Sequence, residues 1–138
     1  MNVSESFSPE EVELMILENM MTVEARRELF GIDREILSFI INNVNSFNDI
    51  ANKRTRIVKK AAHLLGGISF EQPFKEGNKE TALSWTILFL RRNGFELPKS
   101  EMNDVRKLMI KTGYKMEGDN TIISEVETYL DSRITLLN

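Results

Sequence analysis

Apolar residues recur along this chain at helical spacing, and signals for strands are scarce. In the segment 49–65, one face is apolar and consists of Ile50, Ile57, Ala61, Leu64 and Leu65. A stripe of this kind is typical of a helix that packs one side on a core. Two short pieces, 68–70 and 95–97, have the composition of extended chain. The pattern therefore predicts an all-α protein.

Capping residues and glycines divide the chain into seven predicted helices, at about 9–20, 23–30, 34–43, 49–65, 78–92, 100–112 and 121–136. The first begins with Ser8 as N-cap, Pro9 at the first helical position and Glu11 in a capping box. Gly31 ends the second helix, and the pair Gly66 and Gly67 ends the fourth. In the third helix we expect one apolar face, made by Ile36, Phe39, Ile40 and Val44. The turn 114–120 separates the last two helices.

The segment at about 78–93 is the predicted centre of the fold. Its stretch ALSWTILFL is apolar nearly all round, as expected of a buried helix. Arg91 and Arg92 suit the C-terminal end of the helix dipole, and Gly94 can terminate the helix. The chain has 138 residues, which is close to the commonest domain size. We expect a compact helical bundle around this segment, with residues 1–138 as one domain.

Composition and charge narrow the classes of function. Hydrophobic residues make up 41% of the chain and charged residues 28%, a balance typical of soluble globular proteins. The net charge is −3, so no overall positive field attracts nucleic acid or anionic lipid. The basic cluster at 52–60 lacks interleaved aromatic residues, which favours a solvated helix face over a nucleic-acid site. Nucleic acid is therefore an unfavoured partner.

The lack of cysteine and the short length of the apolar runs indicate in which cellular compartment the protein is expected. The chain has no cysteine, which excludes disulfides and thiolate chemistry and favours a reducing compartment. Its acidic opening differs from a secretory signal, and no apolar run approaches the ~20 residues of a membrane span. We expect a cytoplasmic protein without a membrane partner.

The stretch QPFKEGNKETA, residues 72–82, combines the features of an anion site. Gly77 stands beside the first turn of the predicted central helix, where unpaired N–H groups and the positive end of the helix dipole face outward. Lys79 adds a positive charge, and Glu76 is an oxygen ligand that could hold Mg²⁺ against phosphate. An ordinary loop-to-helix turn, with Pro73 fixing the backbone and Phe74 filling the core, has the same spacing. Spacing alone leaves both interpretations open.

The same stretch resembles the motif of the Fic/Doc (Fido) family. It is most similar to the death-on-curing group, whose motif reads H-P-F-x-D/E-G-N-K-R-x-A and precedes a segment similar to LFLRRNGFEL in this chain. The residues that match position for position are Pro73, Phe74, Glu76, Gly77, Asn78, Lys79, Thr81 and Ala82. The resemblance covers roughly residues 57–97.

The resemblance implies a Fido-type helical core with a site for ATP, or another nucleoside triphosphate, and Mg²⁺. Proteins of this family transfer AMP, or in the death-on-curing group a phosphate, to a hydroxyl of a target protein. By resemblance, Glu76 helps to hold the metal, and Pro73 and Phe74 anchor the loop. The phosphate-binding positions are Gly77, Asn78, Lys79 and Glu80.

Two positions depart from the family motif. Gln72 stands at the position of the catalytic His, and an amide cannot act as a base, so a factor of ~10² to 10⁴ in rate should be lost. Glu80 stands in place of an Arg that pairs with phosphate. The exchange removes an attraction to phosphate and adds a repulsion, and each weakens phosphate binding by on the order of a few kcal/mol when the charges are ~5 Å apart at an effective dielectric of ~20. We expect impaired or altered catalysis, and whether the protein is an enzyme stays open. The alternative is a catalytically silent scaffold that binds a protein or peptide, in a toxin-antitoxin or regulatory role.

Three residues remain as alternative bases. His63 is the only histidine and lies nine positions before Gln72, where a structural role is the favoured interpretation. Glu71 and Glu80 flank the site, and solvated carboxylates are favoured there over a catalytic base. Neither terminal helix matches the S/T-x-x-x-E-G/N motif of the family's autoinhibitory helix. The partners we expect are a target protein or an antitoxin-like peptide in a groove, and a homo-oligomer stays open.

Overall fold

The computed structural model describes residues 5–113 and 121–138, and the predicted turn at 114–120 lies outside them. Within this part, the helices are α1 (Pro9–Ala25), α2 (Arg34–Asn45), α3 (Lys53–Glu71), α4 (Asn78–Arg92), α5 (Met102–Gly113) and α6 (Thr121–Arg133). A short 3₁₀ helix, Lys99–Glu101, precedes α5, and two-residue strands β1 (Phe95–Glu96) and β2 (Thr135–Leu136) pair antiparallel. The predicted all-α class is confirmed.

Side-chain caps start the first three helices. Ser8 Oγ accepts a hydrogen bond from the main-chain N–H of Glu11, and Glu11 Oε1 accepts from the N–H of Ser8, each at 3.2 Å. Asp33 caps α2 through the N–H groups of Glu35 and Ile36. These two starts are as predicted. The start of α3 is four residues later than predicted, because Asn52 is its N-cap and accepts from the N–H of Thr55.

Gly66 and Gly67 lie inside α3, so the prediction that they end this helix is wrong. A Cβ atom on Gly66 would lie 2.8 Å from Ile123 Cδ1 of α6, and one on Gly67 would lie 3.0 Å from Ile40 Cγ2 of α2. The two glycines therefore let two neighbouring helices approach α3 closely. Each glycine lowers helix propensity by ~1 kcal/mol relative to Ala, and this packing outweighs that cost. The extended piece predicted at 68–70 is helical for the same reason.

Two further local predictions are wrong. No separate helix covers 23–30, because α1 continues to Ala25 and the chain then leaves the helix, with Arg27 in the left-handed region at φ 61°. In α2 the buried residues are Leu37, Ile40, Ile41 and Val44. Phe39 is 59% exposed, so it does not belong to the apolar face on which it was predicted.

The core lies around α3 and α4. Helix α3 packs against α2, α4, α5 and α6, while α4 packs against α1, α3 and α5. In α4, Ala82, Phe89 and Leu90 are completely buried, whereas Leu88 is 43% exposed. The helix predicted at 78–93 is thus confirmed within the core, and its outer face reaches the surface. Helix α6 ends at Arg133 and not at 136, because the following residues pair with β1.

Much of the basic cluster at 52–60 is paired inside the protein. Lys60 is fully buried, and its Nζ donates to the carbonyl oxygen of Glu5 at 2.7 Å. Arg56 forms an ion pair with Glu5 at 2.6 Å, and Lys59 pairs with Glu127 at 3.1 Å. These contacts within the protein explain why basic residues occur close together in this segment. Over the described ranges, no helix combines the length and the apolar character that crossing a membrane requires.

Candidate active site

The loop between α3 and α4, residues 72–78, carries the family-like motif and is called the motif loop below. Its first residue, Gln72, is the C-cap of α3 and adopts a left-handed conformation at φ 52° and ψ 62°. The chain then runs antiparallel to 31–33: Lys75 N donates to Gly31 O at 2.8 Å, and Asp33 N donates to Pro73 O at 2.7 Å. The segment between α1 and α2 therefore supports one edge of the loop.

The Asn78 side chain holds the inner side of the motif loop through two hydrogen bonds to the main chain of Phe74. Phe74 N donates to Asn78 Oδ1 at 3.0 Å, and Asn78 Nδ2 donates to Phe74 O at 2.7 Å. Phe74 itself is only 2% exposed and belongs to the core. The Asn78 side chain is therefore used to hold the loop, which leaves its main-chain N–H as the group that can face a phosphate.

Asn19 of α1 is a site residue that sequence reasoning missed. It is completely buried, and its Nδ2 donates to Glu76 O at 2.9 Å and to Thr81 Oγ1 at 3.1 Å. A Cβ atom on Gly77 would lie 2.9 Å from this Nδ2, so only glycine fits there, and its φ of 76° also favours glycine. The signal for Asn19 was available, because it is the one polar residue among the buried positions of α1, which are Met15, Ile16, Asn19 and Val23.

The outer side of the motif loop lines a cavity of about 220 Å³, called the motif cavity below. Its lining consists of Arg26, Glu28, Gln72, Lys75, Glu76, Gly77, Asn78, Lys79 and Glu80. Every predicted catalytic, phosphate-binding and metal residue is thus brought together at one cavity. The two predicted anchors, Pro73 and Phe74, lie buried beneath it. Arg26, Glu28 and Lys75 are additions that the motif did not indicate.

Charges in the motif cavity are balanced. The cations Arg26, Lys75 and Lys79 face the carboxylates of Glu28, Glu76 and Glu80. Among them, Arg26 Nη1 lies 3.0 Å from Glu80 Oε1. Burial alone raises the pKa of the Glu80 carboxyl, but hydrogen bonds from its own main-chain N–H and from Arg26 outweigh burial and hold this pKa below its usual range. Glu80 is therefore a weak base, which argues against it as a substitute for the catalytic His.

The N-terminus of α4 opens into the same cavity. Gly77 is its N-cap and has no side chain with which to cap the helix. The first N–H groups of a helix have no intrahelical acceptor, and they carry the positive end of the helix dipole. The main-chain donors of Asn78 and Lys79, together with the Lys79 ammonium, can therefore bind an anion.

Glu76 is the residue that fits a magnesium ion. In the described part of the chain, no group of three or more His, Cys, Asp and Glu side chains is arranged to hold a metal. Mg²⁺ at phosphate sites is commonly held by one or two carboxylates, with phosphate oxygens and water completing its coordination. A single half-buried carboxylate beside an anion site suits that mode and does not suit a metal site built from protein ligands alone.

His63 lies away from the motif cavity. It lines a separate cavity of about 380 Å³ between α2, α3 and α6, together with Glu71. Its ring centroid is 4.7 Å from that of Phe47. Burial lowers the pKa of His63, Lys59 lowers it further, and Glu127 opposes the change. Neither His63 nor Glu71 lines the motif cavity, so the geometry gives neither of them the position of a replacement base.

A second, mostly apolar groove of about 400 Å³ adjoins the motif cavity and shares Lys79 and Glu80 with it. It lies between α4 and α5, and its other lining residues are Leu83, Ser84, Ile87, Met102, Arg106, Met109 and Ile110. The site therefore has a charged part at the motif loop and an apolar part beside it.

Comparison with known proteins identifies the family of this chain. The model of the Fic/DOC family matches residues 22–90, a span that contains the segment from the end of α1 through nearly all of α4. No curated protein and no solved structure matches the chain. The family match covers 69 of the 138 residues, which is half of the chain. It includes the whole motif loop and every residue that lines the motif cavity, so the protein belongs to the Fic/DOC family.

Proposed function

We propose that the protein binds a Mg²⁺–nucleoside triphosphate at the motif cavity and that its transfer of AMP or phosphate to a protein hydroxyl is impaired. One observation carries this proposal: the groups that suit phosphate and Mg²⁺ face the same cavity as Gln72, which cannot act as a base. The site thus combines the binding half of the family's chemistry with a defect in its proton-transfer half.

Phosphate binding rests on the N-terminus of α4. Its main-chain donors and Lys79 lie together at the motif cavity, and a helix N-terminus of this kind favours anions. Glu76 is the carboxylate that would hold Mg²⁺, an ion that neutralises the charge of phosphate oxygens. The adjoining apolar groove offers Leu83 and Ile87 to the nucleoside part, in keeping with the mostly apolar lining of nucleotide-sized sites.

Impaired transfer follows from the lack of a histidine among the described residues that line the cavity, because Gln72 stands at the histidine position of the motif. Gln72 is exposed and presents an amide, which can orient an attacking hydroxyl but cannot take its proton. The lowered pKa of Glu80 and its ion pair with Arg26 make it a poor substitute. Loss of a general base lowers the rate by ~10² to 10⁴, while positioning and charge stabilisation remain.

A catalytically silent scaffold is the second candidate function. The segment between α1 and α2, which pairs with the motif loop, has Leu29 65% exposed and Phe30 36% exposed. Large apolar side chains at the surface beside a recognisable site suit contact with another protein or a peptide. On this hypothesis the balanced charges of the motif cavity reflect a site that no longer takes a nucleotide.

Isothermal titration of Mg²⁺–ATP separates the two candidates. We expect the native protein to bind in the micromolar range and Lys79→Ala to bind at least about tenfold more weakly, since it removes a charge-assisted contact. Lys99→Ala is the matched control, because it removes an exposed lysine beyond the opposite end of α4. If neither the native protein nor Glu80→Arg binds, the nucleotide proposal is wrong and the scaffold is favoured.

The catalytic part of the proposal needs a separate assay. Gln72→His restores a base at the motif position, so incubation with Mg²⁺–ATP and a cell lysate should give a modified protein, detected by mass shift, at a rate ~10² or more above that of the native protein. Equal rates for the two proteins would show that Gln72 does not limit transfer.

A further inference from the structure

We propose that Arg26, at the end of α1, supplies to phosphate the guanidinium that position 80 lacks, and that Glu80 holds this guanidinium at the motif cavity. The inference rests on the proposed nucleotide site. A carboxylate stands at position 80, where the motif has an arginine, and the guanidinium of Arg26 lies 3.0 Å from this carboxylate.

The position of Arg26 is set by the main chain around it. Arg26 is the C-cap of α1, and its N–H donates to the carbonyl groups of Thr22 and Val23. About two helical turns before this point, Asn19 donates hydrogen bonds to Glu76 O in the motif loop and to Thr81 Oγ1 of α4. Arg27 then turns the chain away with a positive φ of 61°. The root of the Arg26 side chain is therefore held beside the loop, while its side chain is 49% exposed and can adjust to a ligand.

The contact with Glu80 leaves most of the guanidinium available. The carboxylate meets Nη1 of Arg26, and Glu28 lies 4.0 Å from the same nitrogen. A guanidinium carries five N–H donors, so donors on its other nitrogens remain for a phosphate oxygen. Arg is also the side chain best suited to bind phosphate through two parallel hydrogen bonds.

Stability does not explain this ion pair. Pairs between exposed side chains contribute little to folding, and Arg26 and Glu80 are 49% and 43% exposed. The pair does change the cavity, because it neutralises the carboxylate that would otherwise repel phosphate beside Lys79. Glu80 thus acts as a positioning residue, and Arg26 acts as the phosphate-binding residue.

The test is titration of Mg²⁺–ATP, and of inorganic tripolyphosphate with Mg²⁺, into the full chain and its variants. We expect Arg26→Ala to weaken binding of both probes about tenfold or more, because a charge-assisted contact to phosphate is lost. Arg26→Lys should recover part of this loss, since it keeps the charge without the planar fork. Arg91→Ala is the control for loss of an exposed arginine, at the other end of α4.

A double variant gives the sharper result. In Arg26→Ala/Glu80→Arg a guanidinium returns at the motif position, so binding should recover to at least the native affinity. Native-like binding by Arg26→Ala, while Lys79→Ala binds weakly, would overturn the role of Arg26 and leave the nucleotide site intact. Binding by Glu80→Arg alone would also overturn it, because Arg26 would then not replace the motif arginine. If none of these proteins binds either probe, the nucleotide site fails and this inference fails with it.

Discussion

The two sides of the motif loop differ in how far they follow the family motif. On the inner side, Phe74 fills the core, Asn78 bonds the main chain of Phe74, and Gly77 makes room for Asn19. On the outer side, Gln72 at the start of the loop and Glu80 just beyond its end line the motif cavity, and both differ from the motif that this stretch resembles. The inner side is constrained by packing and buried hydrogen bonds, which tolerate few alternatives. Gln72 and Glu80 on the outer side are exposed, so packing places little constraint on which residues stand there.

Stability and ligand binding should therefore separate within the nine consecutive residues 72–80. Substitutions on the inner side should change the free energy of unfolding, and substitutions on the outer side should change ligand binding with little effect on unfolding.

Phe74→Ala should cause the largest loss of stability. The side chain is 2% exposed in the core cluster, and removal of a buried aromatic ring costs about 3–5 kcal/mol. Unfolding in urea, followed by circular dichroism, measures the change. Phe39→Ala is the matched control, because that ring is 59% exposed and surface substitutions are usually within about 0.5 kcal/mol. Similar losses for the two variants would contradict the division between the two sides.

Gly77→Ala should destabilise the protein by more than Gly94→Ala. Both glycines have positive φ, 76° and 88°, so each alanine has a backbone cost of about 1–2 kcal/mol. The new Cβ meets Asn19 Nδ2 at 2.9 Å and Val23 Cγ1 at 3.0 Å in the first case, and nothing within 4 Å in the second. The difference between the two unfolding free energies therefore measures the packing of α1 on the loop. Equal losses would mean that α1 shifts to accommodate the new Cβ atom with no further loss of stability.

Gln72→Gly should stabilise the protein by about 1 kcal/mol or less, because glycine adopts the left-handed conformation without the steric cost that Gln bears. Gln72 is exposed at φ 52°, so no packing is lost. Unfolding in urea again gives the measurement. A loss of stability would show that the Gln72 side chain has a structural role, and the outer side would then resemble the inner side.

Glu80→Gln should have the smallest effect on stability, and the effect should depend on pH. Although burial raises the pKa of Glu80, its own N–H and Arg26 hold it below the ordinary value of 4.5. The unfolded chain therefore takes up the proton first on acidification, so the stabilisation from Glu80 is present above pH 4.5 and is lost as the pH falls below it. The unfolding free energies of the native protein and Glu80→Gln should converge over that range. A gap that persists or widens at low pH would contradict the assigned pKa direction.

Much of the fold was predictable, because its causes are local. Ser8 with Glu11, and Asp33, mark helix starts through bonds to groups within three residues. The helix that follows Gly77 was also predictable from the order of residues. The continuation of α3 through Gly66 and Gly67 was not, since the reason for these glycines is the approach of Ile123 and Ile40 from other helices.

The candidate site divides in the same way. The motif indicated Gln72, Glu76, Lys79 and Glu80, and the structure brings them to one cavity with Gly77 and Asn78. It did not indicate Arg26, because the segment around it was predicted as part of a separate helix and nothing nearby marks an ion pair with Glu80. Asn19 could have been suspected from its polar side chain on a buried face, but its partners could not be named.

The order of residues was enough to predict the helical class, most of the helix starts and the loop that precedes α4. Helix caps, apolar periodicity and turn residues involve residues that are close together in the sequence, so they can be recognised without the structure. Three features depend on tertiary packing: Asn19 holds the loop, Gly66 and Gly67 let other helices approach α3, and Arg26 pairs with Glu80. These contacts join residues far apart in the chain, and they exist only because α1 packs against α4 and because α3 packs among its neighbours.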